Sequence, residues 1–243
     1  MICLRTVMRN LIILLLLLVN ALSISGKQNE CPCTCSSEAS LHFTTRQDTS
    51  MLHQLYYNGR IWVGKYFNVY GTEFIMEDKW YKTDIIINGI RFSDVEIKYD
   101  IYNDEVLANY YNKRIIILNN ENIESFVLYT DEKELQFKNI KGTADLEGHY
   151  QVLFEGKSKL YKKWRKKRAQ FVIEARFDEF QQDDDLILVI GERPYHLKNR
   201  RNLLNIMNDK KSEIKYFIRH ENIRLDFDIP ESLVPVLEYY DSL

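Results

Sequence analysis

Residues 84–102 read D-I-I-I-N-G-I-R-F-S-D-V-E-I-K-Y-D-I-Y, and this stretch predicts two antiparallel strands. Asn88 and Gly89 lie between two apolar runs, and this dipeptide readily supplies the two positive-φ positions of a type I′ hairpin turn. Beyond the turn, charged residues alternate with Val95, Ile97, Tyr99 and Ile101. A period of two places these four side chains on one face of a strand. The stretch therefore predicts a half-buried antiparallel sheet.

Short strands and turns continue on both sides of this hairpin. A second Asn-Gly pair, Asn58-Gly59, separates aromatic and β-branched runs and predicts another hairpin. Downstream, strand-like segments recur about every ten residues, and Gly156-Lys157 suits a type II′ turn between two of them. Because no segment of helical period interrupts residues 51–198, we predict an antiparallel β-meander of about ten or more strands.

The period changes in residues 199–243, which predict two to three short helices. One helix is expected after Asn199, a second after Asp209 as N-cap, and a third after Ser232 as N-cap. Pro235 falls in the first turn of the third helix, where its missing N–H costs little. Strands followed by helices predict an α+β fold, with the helices packed on one sheet face in the same globular unit.

The N-terminal residues predict export. Arg5 and Arg9 precede residues 11–19, nine uninterrupted aliphatic residues, and small residues follow up to Gly26. This is the charged, apolar and cleavable order of a secretory signal, so we predict a signal peptide over residues 1–25. The apolar run is too short to span the roughly 30 Å of membrane hydrocarbon. An uncleaved membrane anchor is the alternative interpretation.

A flexible linker is predicted over residues 26–50, and it contains Cys31, Cys33 and Cys35 in the motif C-P-C-T-C. Three cysteines leave at least one unpaired, shared between chains or bound to a ligand. Their spacing is not that of a structural zinc site, so we expect no metal and no cofactor. Polar residues precede Cys31, and no lipid modification is predicted there.

Composition and charge limit the partners and the location of the protein. The chain has 33 Lys and Arg against 35 Asp and Glu, a net charge of −2, which gives no general attraction to nucleic acid. No later segment reaches transmembrane length. Together with the predicted signal peptide, these features predict an exported chain that is soluble or only peripherally attached to a membrane.

Catalytic signatures are missing from the sequence. It contains no G-x-S-x-G elbow, P-loop, G-x-G-x-x-G or H-E-x-x-H motif, and each of these has a defined chemical role. Five scattered histidines show no metal-ligand spacing, and pairs such as Asp178 and Glu179 are expected in so acidic a chain. We predict a protein without enzymatic activity; an enzyme with an unrecognised site is a further hypothesis.

The most conspicuous feature is the basic stretch, residues 157–168, which holds eight Lys and Arg in twelve residues and no acid. Such a stretch with interleaved aromatic residues can bind an anionic membrane surface, whereas export argues against single-stranded nucleic acid. It can also be a solvated edge strand neutralised by Asp178, Glu179 and residues 183–185. The candidate binding residues are Lys159, Tyr161, Lys162, Lys163, Trp164, Arg165, Lys166, Lys167 and Arg168.

Three segments resemble those of a family of uncharacterised exported proteins common in Bacteroidota. They are E-N-I-E-S-F-V-L at residues 121–128, G-H-Y-Q-V-L-F-E-G-K-S-K-L-Y-K-K at 148–163, and K-S-E-I-K-Y-F-I-R-H-E-N-I at 211–223. The resemblance implies a location in the cell envelope, in the periplasm or associated with the outer membrane of a Gram-negative bacterium. It implies no particular activity.

Two functional hypotheses follow. The first is a non-enzymatic binding or assembly role in which the sheet and helices present a surface to an anionic envelope surface or an envelope protein. The alternative is a carrier that holds lipid or lipoprotein acyl chains between sheet and helices, as half-barrel chaperones do. A large apolar cavity would favour the carrier, and a filled core would favour the binding role.

Overall fold

The computed structural model describes residue 54 and residues 56–110, 114–143, 146–170 and 177–243. The predicted signal peptide over residues 1–25 lies outside the described residues. So does the predicted linker over residues 26–50, with its three cysteines.

The described residues contain fourteen strands in two sheets. The strands are β1 (Gly59–Ile61), β2 (Val69–Tyr70), β3 (Tyr81–Ile87), β4 (Ile90–Asp100), β5 (Glu105–Tyr110), β6 (Arg114–Leu118), β7 (Ile123–Tyr129), β8 (Glu134–Thr143), β9 (Leu146–Glu155), β10 (Ser158–Lys163), β11 (Lys166–Gln170), β12 (Asp178–Gln182), β13 (Asp185–Ile190) and β14 (Arg193–Leu197).

Eleven of these strands form one antiparallel sheet in the order β1-β6-β5-β4-β3-β7-β8-β9-β10-β13-β14. Most neighbours in the sheet are also neighbours in sequence, so the antiparallel meander is confirmed. Four pairings depart from it: β3 pairs with β7, β10 pairs with β13, and the other two involve β1 and β2. β1 joins the sheet beside β6, and a small sheet of order β11-β12-β2 contains a parallel pair between β12 and β2.

The hairpin at Asn88-Gly89 forms as predicted. Asn88 has φ 50° and Gly89 has φ 75°, which are the two left-handed positions of a type I′ turn, and β3 pairs with β4 on either side. Ile97 and Tyr99 are fully buried, and Val95 packs against the same cluster. The alternation in β4 therefore marks a core-facing side.

The prediction of a second hairpin at Asn58-Gly59 is wrong. Tyr56 is helical rather than extended, and Gly59 pairs with Leu118 of β6. A Cβ at Gly59 would overlap the carbonyl oxygen of Ile117. Glycine is thus required here for the close approach of two strands, and not for a turn.

The turn at Gly156-Lys157 joins β9 and β10, but Gly156 is not among the residues with positive φ. A type II′ turn needs positive φ at its first central position, so that turn type is wrong. Asp241 holds the turn instead, because both its carboxylate oxygens accept from Ser158 N at 3.0 Å. A Cβ on Gly156 would overlap this carboxylate.

The main core lies on one face of β3 to β8. Its centre is aromatic: the rings of Tyr99, Phe126 and Phe137 lie 4.8–5.4 Å apart, and each of these residues is at most 2% exposed. Burial of each such side chain contributes about 1.5–3 kcal/mol. Side chains therefore fill the interior between these strands.

Three C-terminal helices cover the other end of the sheet. They are α1 (Arg200–Ile206), α2 (Lys211–His220) and α3 (Val234–Ser242). Their apolar residues form a second core with Leu160 of β10, Leu188 of β13 and Leu197 of β14. The α+β arrangement is confirmed.

Both predicted N-caps, Asp209 and Ser232, are wrong, whereas the helix expected after Asn199 forms there. The side chain of Asn199 caps α1 by accepting from Asn202 N. Asp209 instead lies in a 3-10 turn before α2 and accepts from the Tyr240 hydroxyl. Ser232 also precedes its helix by a 3-10 turn, and its hydroxyl bonds the backbone of Asp226. Both side chains form hydrogen bonds elsewhere in the fold instead of capping a helix.

Candidate functional site

The basic stretch runs from the turn after β9 through β10 into β11. Five of its eight Lys and Arg residues form ion pairs, which are Lys162–Asp184, Lys163–Asp104, Arg165–Asp185, Lys167–Asp183 and Arg168–Asp178. Four of these aspartates belong to residues 178–185. The predicted neutralisation by this acidic segment is confirmed.

Two lysines of the stretch are part of the folded interior. Lys163 is buried, with 8% of its surface exposed. Lys166 Nζ donates to the carbonyl oxygens of Thr72 and Phe74, both at 2.6 Å, and burial lowers its pKa. Lys159 is half-buried on β10. These cations are poorly placed for contact with an external surface.

The two aromatic members of the stretch also face inward. Tyr161 is buried, and its hydroxyl donates to Glu155 Oε1 at 2.9 Å. Burial, followed by this carboxylate, raises the pKa of Tyr161. Trp164 Nε1 donates to Gln151 Oε1 at 2.7 Å, and Lys162 Nζ lies 3.6 Å from the centroid of the Trp164 ring. They stabilise the sheet and do not form an aromatic anchor.

The exposed remainder of the stretch lies on the small sheet. β11 is an edge strand, as the interpretation of a solvated edge requires. By register, Lys167 of β11 lies opposite Gln181 of β12, on the same face as Glu179 and Tyr70. Lys167 and Tyr70 therefore share one face of this sheet.

Exposed apolar residues accompany these cations. Phe67 is 87% exposed, Tyr70 69% and Phe177 40%, and these residues lie in or next to β2 and β12. The term small-sheet surface denotes the exposed side chains on and beside both faces of this sheet, which are Arg165, Lys167, Arg168, Phe67, Tyr70 and Phe177. Arg168 lies opposite Phe180, on the other face from Lys167 and Tyr70. Apolar side chains exposed in one region commonly mark an interaction site.

A cluster of titratable side chains lies inside the protein and was not predicted. The closure cluster comprises Tyr99, Asp104, His149 and Lys163. Asp104 accepts from the Tyr99 hydroxyl at 2.6 Å, from Lys163 Nζ at 2.6 Å and from His149 N at 3.2 Å. His149 Nδ1 lies 3.2 Å from Asp104 Oδ1 and acts as a donor, because a carboxylate only accepts.

The cluster joins strands that are far apart in the sheet. Asp104 precedes β5, whereas His149 lies on β9 and Lys163 on β10, and the sheet places β4, β3, β7 and β8 between β5 and β9. Direct contact across this interval requires the sheet to curl. Gly148 makes room for the contact: it has φ +94°, and a Cβ there would overlap Asp104 Oδ2.

Burial and charge act on these groups in opposite directions. Burial alone would raise the pKa of Asp104, but hydrogen bonds and charge from His149 and Lys163 hold that pKa well below its ordinary value. Burial lowers the pKa of Lys163, and the Asp104 carboxylate opposes this shift. Lys163 Nζ also donates to the carbonyl oxygen of His149 at 3.1 Å, so its ammonium group has two acceptors.

The closure cluster suits a structural role. His149 is fully buried, and its Nε2 has no hydrogen-bond partner among the described residues. The rings of Tyr99 and Phe126 lie 5.7 and 5.4 Å from the imidazole. Donors and acceptors of Asp104 and Lys163 are used within the cluster. Sequence gives no signal for it, because Asp104 is 45 residues from His149 and 59 residues from Lys163.

Comparison of the chain with protein-family models, with curated proteins and with solved structures finds no match. Among the described residues, no helix has both the length and the apolar character needed to cross a bilayer. The same residues contain no group of three or more His, Cys, Asp or Glu side chains that could hold a metal ion.

Proposed function

We propose that this is an exported cell-envelope protein with a non-enzymatic binding or assembly role, attached peripherally to an anionic envelope surface. The observation that carries the proposal is the small-sheet surface, which combines exposed Phe67 and Tyr70 with the half-exposed cations Arg165, Lys167 and Arg168. Of these cations, Lys167 shares a face of the sheet with Tyr70. Aromatic rings at headgroup level combined with cations are typical of peripheral attachment. Export and the resemblance to the Bacteroidota family remain parts of the proposal.

The interior supports this role over the carrier. An acyl-chain carrier needs open apolar space between sheet and helices, whereas Leu160, Leu203 and Leu237 are fully buried together in that layer. Aromatic side chains likewise fill the centre of the main core. The closure cluster also ties β9 and β10 to the start of β5. Carriage would require both the aromatic centre and this cluster to open.

The aspartates of the small sheet set the strength of the attachment. Each cation near an anionic membrane contributes about 1 kcal/mol, but Arg168 and Lys167 are paired with Asp178 and Asp183. Pairing cancels part of the attraction. Removal of the aspartates should therefore strengthen membrane binding, and removal of the cations should weaken it.

Flotation with anionic liposomes at low salt tests the proposal. We expect the chain from residue 26 to float, and the triple variant R165Q/K167Q/R168Q to bind about tenfold more weakly. The matched variant D178N/D183N should bind more tightly, and F67S should bind less. All these side chains are at least 39% exposed, so the variants keep the fold. Equal flotation of all three variants and the parent would refute the proposal.

Two of the candidate binding residues, Lys163 and Lys166, are unsuitable for this test. A variant that replaces Lys163 and Lys166 would remove a buried ion pair and two backbone contacts. Its loss of liposome binding would then report unfolding. Arg165, Lys167 and Arg168 avoid this ambiguity.

A further inference from the structure

A groove crosses the outer face of the sheet at its β1 edge. By register Arg60 lies opposite Ile117, and Ile117 lies opposite Leu107, so these residues share a face. It is the face opposite the main core, because Ile116 and Ala108 belong to that core. Two adjoining depressions of about 420 Å³ and 240 Å³ lie here, and Arg60, Glu105 and Ile117 line both. They meet at these three shared residues, and together they are called the groove.

The groove combines amide, charged and apolar groups. Four asparagines line it, which are Asn58, Asn103, Asn119 and Asn120. An ion pair between Arg60 and Glu105 lies where the two depressions meet. Trp62 and Tyr66 line the end near Asn103. The volume of the larger depression is within the range of roughly 300–1,000 Å³ that is common for small-molecule sites.

The floor of the groove is rigid. Ile117 is buried in a small apolar cluster with Phe74 and Leu107, and Trp62 packs against the same cluster. The Trp62 and Phe74 rings are 6.2 Å apart. Glu105 has a side chain only 16% exposed, whereas its partner Arg60 is 68% exposed. A fixed carboxylate therefore lies beneath a guanidinium that reaches into solvent.

One polar atom of the lining lacks a partner. Asn120 Nδ2 donates to the carbonyl oxygen of Asp104 at 2.5 Å, but Asn120 Oδ1 is covered and has no hydrogen-bond partner within the described part of the chain. Covered acceptors without partners are uncommon in folded proteins. Asn120 lines the larger depression, so a ligand there lies close to the side chain that carries this acceptor.

We propose that this groove binds a short, uncharged oligosaccharide. Sugar hydroxyls both donate and accept, as amide side chains do, and the apolar face of a sugar ring can pack on Trp62 and Ile117. Arg60 and Glu105 neutralise each other, and solvent screens the exposed Lys65, so the lining does not require a charged ligand. The groove proposal is separate from membrane attachment, because none of the small-sheet surface residues lines it.

Calorimetric titration without membranes tests the groove. The probes are cellohexaose, maltohexaose and chitohexaose, with a heparin hexasaccharide as the polyanionic comparison. We expect at least one uncharged sugar to bind, and R60A to weaken that binding about tenfold or more, because a charged hydrogen-bond donor is lost. The matched variant K167Q, on the small sheet, should bind like the parent.

Three results would overturn the proposal. Failure of all three uncharged sugars to bind at millimolar concentration would do so, as would equal binding by R60A or binding of heparin alone. Arg60 is 68% exposed, so equal urea midpoints for R60A and the parent should exclude unfolding as the cause. Loss of sugar binding leaves liposome flotation unaffected, so the two proposals fail separately.

Discussion

The closure cluster makes a quantitative prediction about stability. Lys163 Nζ lies 2.6 Å from Asp104 Oδ2, and the two side chains are only 10% and 28% exposed. Loss of one partner from such a pair leaves an uncompensated buried charge and costs about 3–5 kcal/mol. We therefore expect D104N and K163M each to lower the free energy of unfolding by about this amount. The loss of unfolding free energy in the double variant should be about 1–3 kcal/mol smaller than the sum of the two single losses.

Urea unfolding at pH 7, followed by circular dichroism and by tryptophan fluorescence, measures these free energies. The matched control is the exposed pair Arg168–Asp178, with side chains 42% and 39% exposed, for which D178N and R168Q should each cost under about 1 kcal/mol. The reasoning is refuted if the losses of unfolding free energy in D104N and K163M sum to the loss in the double variant. It is also refuted if each loss equals that of the control variants.

Three further predictions concern the same core. G148A should lower the free energy of unfolding by several kcal/mol more than G89A does. Both glycines have positive φ, but a Cβ at Gly89 meets open space, whereas one at Gly148 overlaps Asp104. Urea midpoints of the two variants check this. Asp100 is buried, and burial raises its pKa to about 6. Because the folded pKa of Asp100 exceeds its unfolded value, its contribution to stability is present below about pH 4 and is lost as the pH rises through about 6. The difference between the unfolding free energies at pH 4 and pH 7 should therefore be smaller for D100N than for the parent. Native mass spectrometry of protein purified from its envelope should show no co-purified lipid, because side chains fill the interior; a stoichiometric lipid would favour the carrier.

Local patterns in the sequence were sufficient for much of the fold. Asn88-Gly89 and the alternation around Ile97 and Tyr99 define a hairpin whose neighbours pair in order. The helical period after Asn199 is equally local. Such features are predictable because turn chemistry and side-chain period act over a few residues.

Features that depend on distant partners were not predictable. Gly59 has the sequence context of a turn, yet β6 needs it as a strand residue without a side chain. Asp209 has the sequence context of an N-cap, yet its carboxylate accepts a hydrogen bond from the Tyr240 hydroxyl instead. The parallel pairing of β2 with β12 joins segments more than a hundred residues apart. In each case a tertiary contact outweighs a local preference.

In the candidate site, too, local features were predictable from the sequence and long-range contacts were not. Sequence identified the basic stretch and its acidic counter-charge, since both are contiguous. It did not separate Lys163 and Lys166, which are in the interior, from Lys167, which is exposed. Asp104 and His149 come together only because the sheet curls.

Export of the protein and its attachment to the envelope are the central claim, and fractionation of cells that express the full chain tests them together. We expect the protein in the envelope fraction, with a new N terminus between residues 23 and 26, and we expect high salt to release it, because salt screens the exposed cations. An intact precursor in the cytosol would contradict the account.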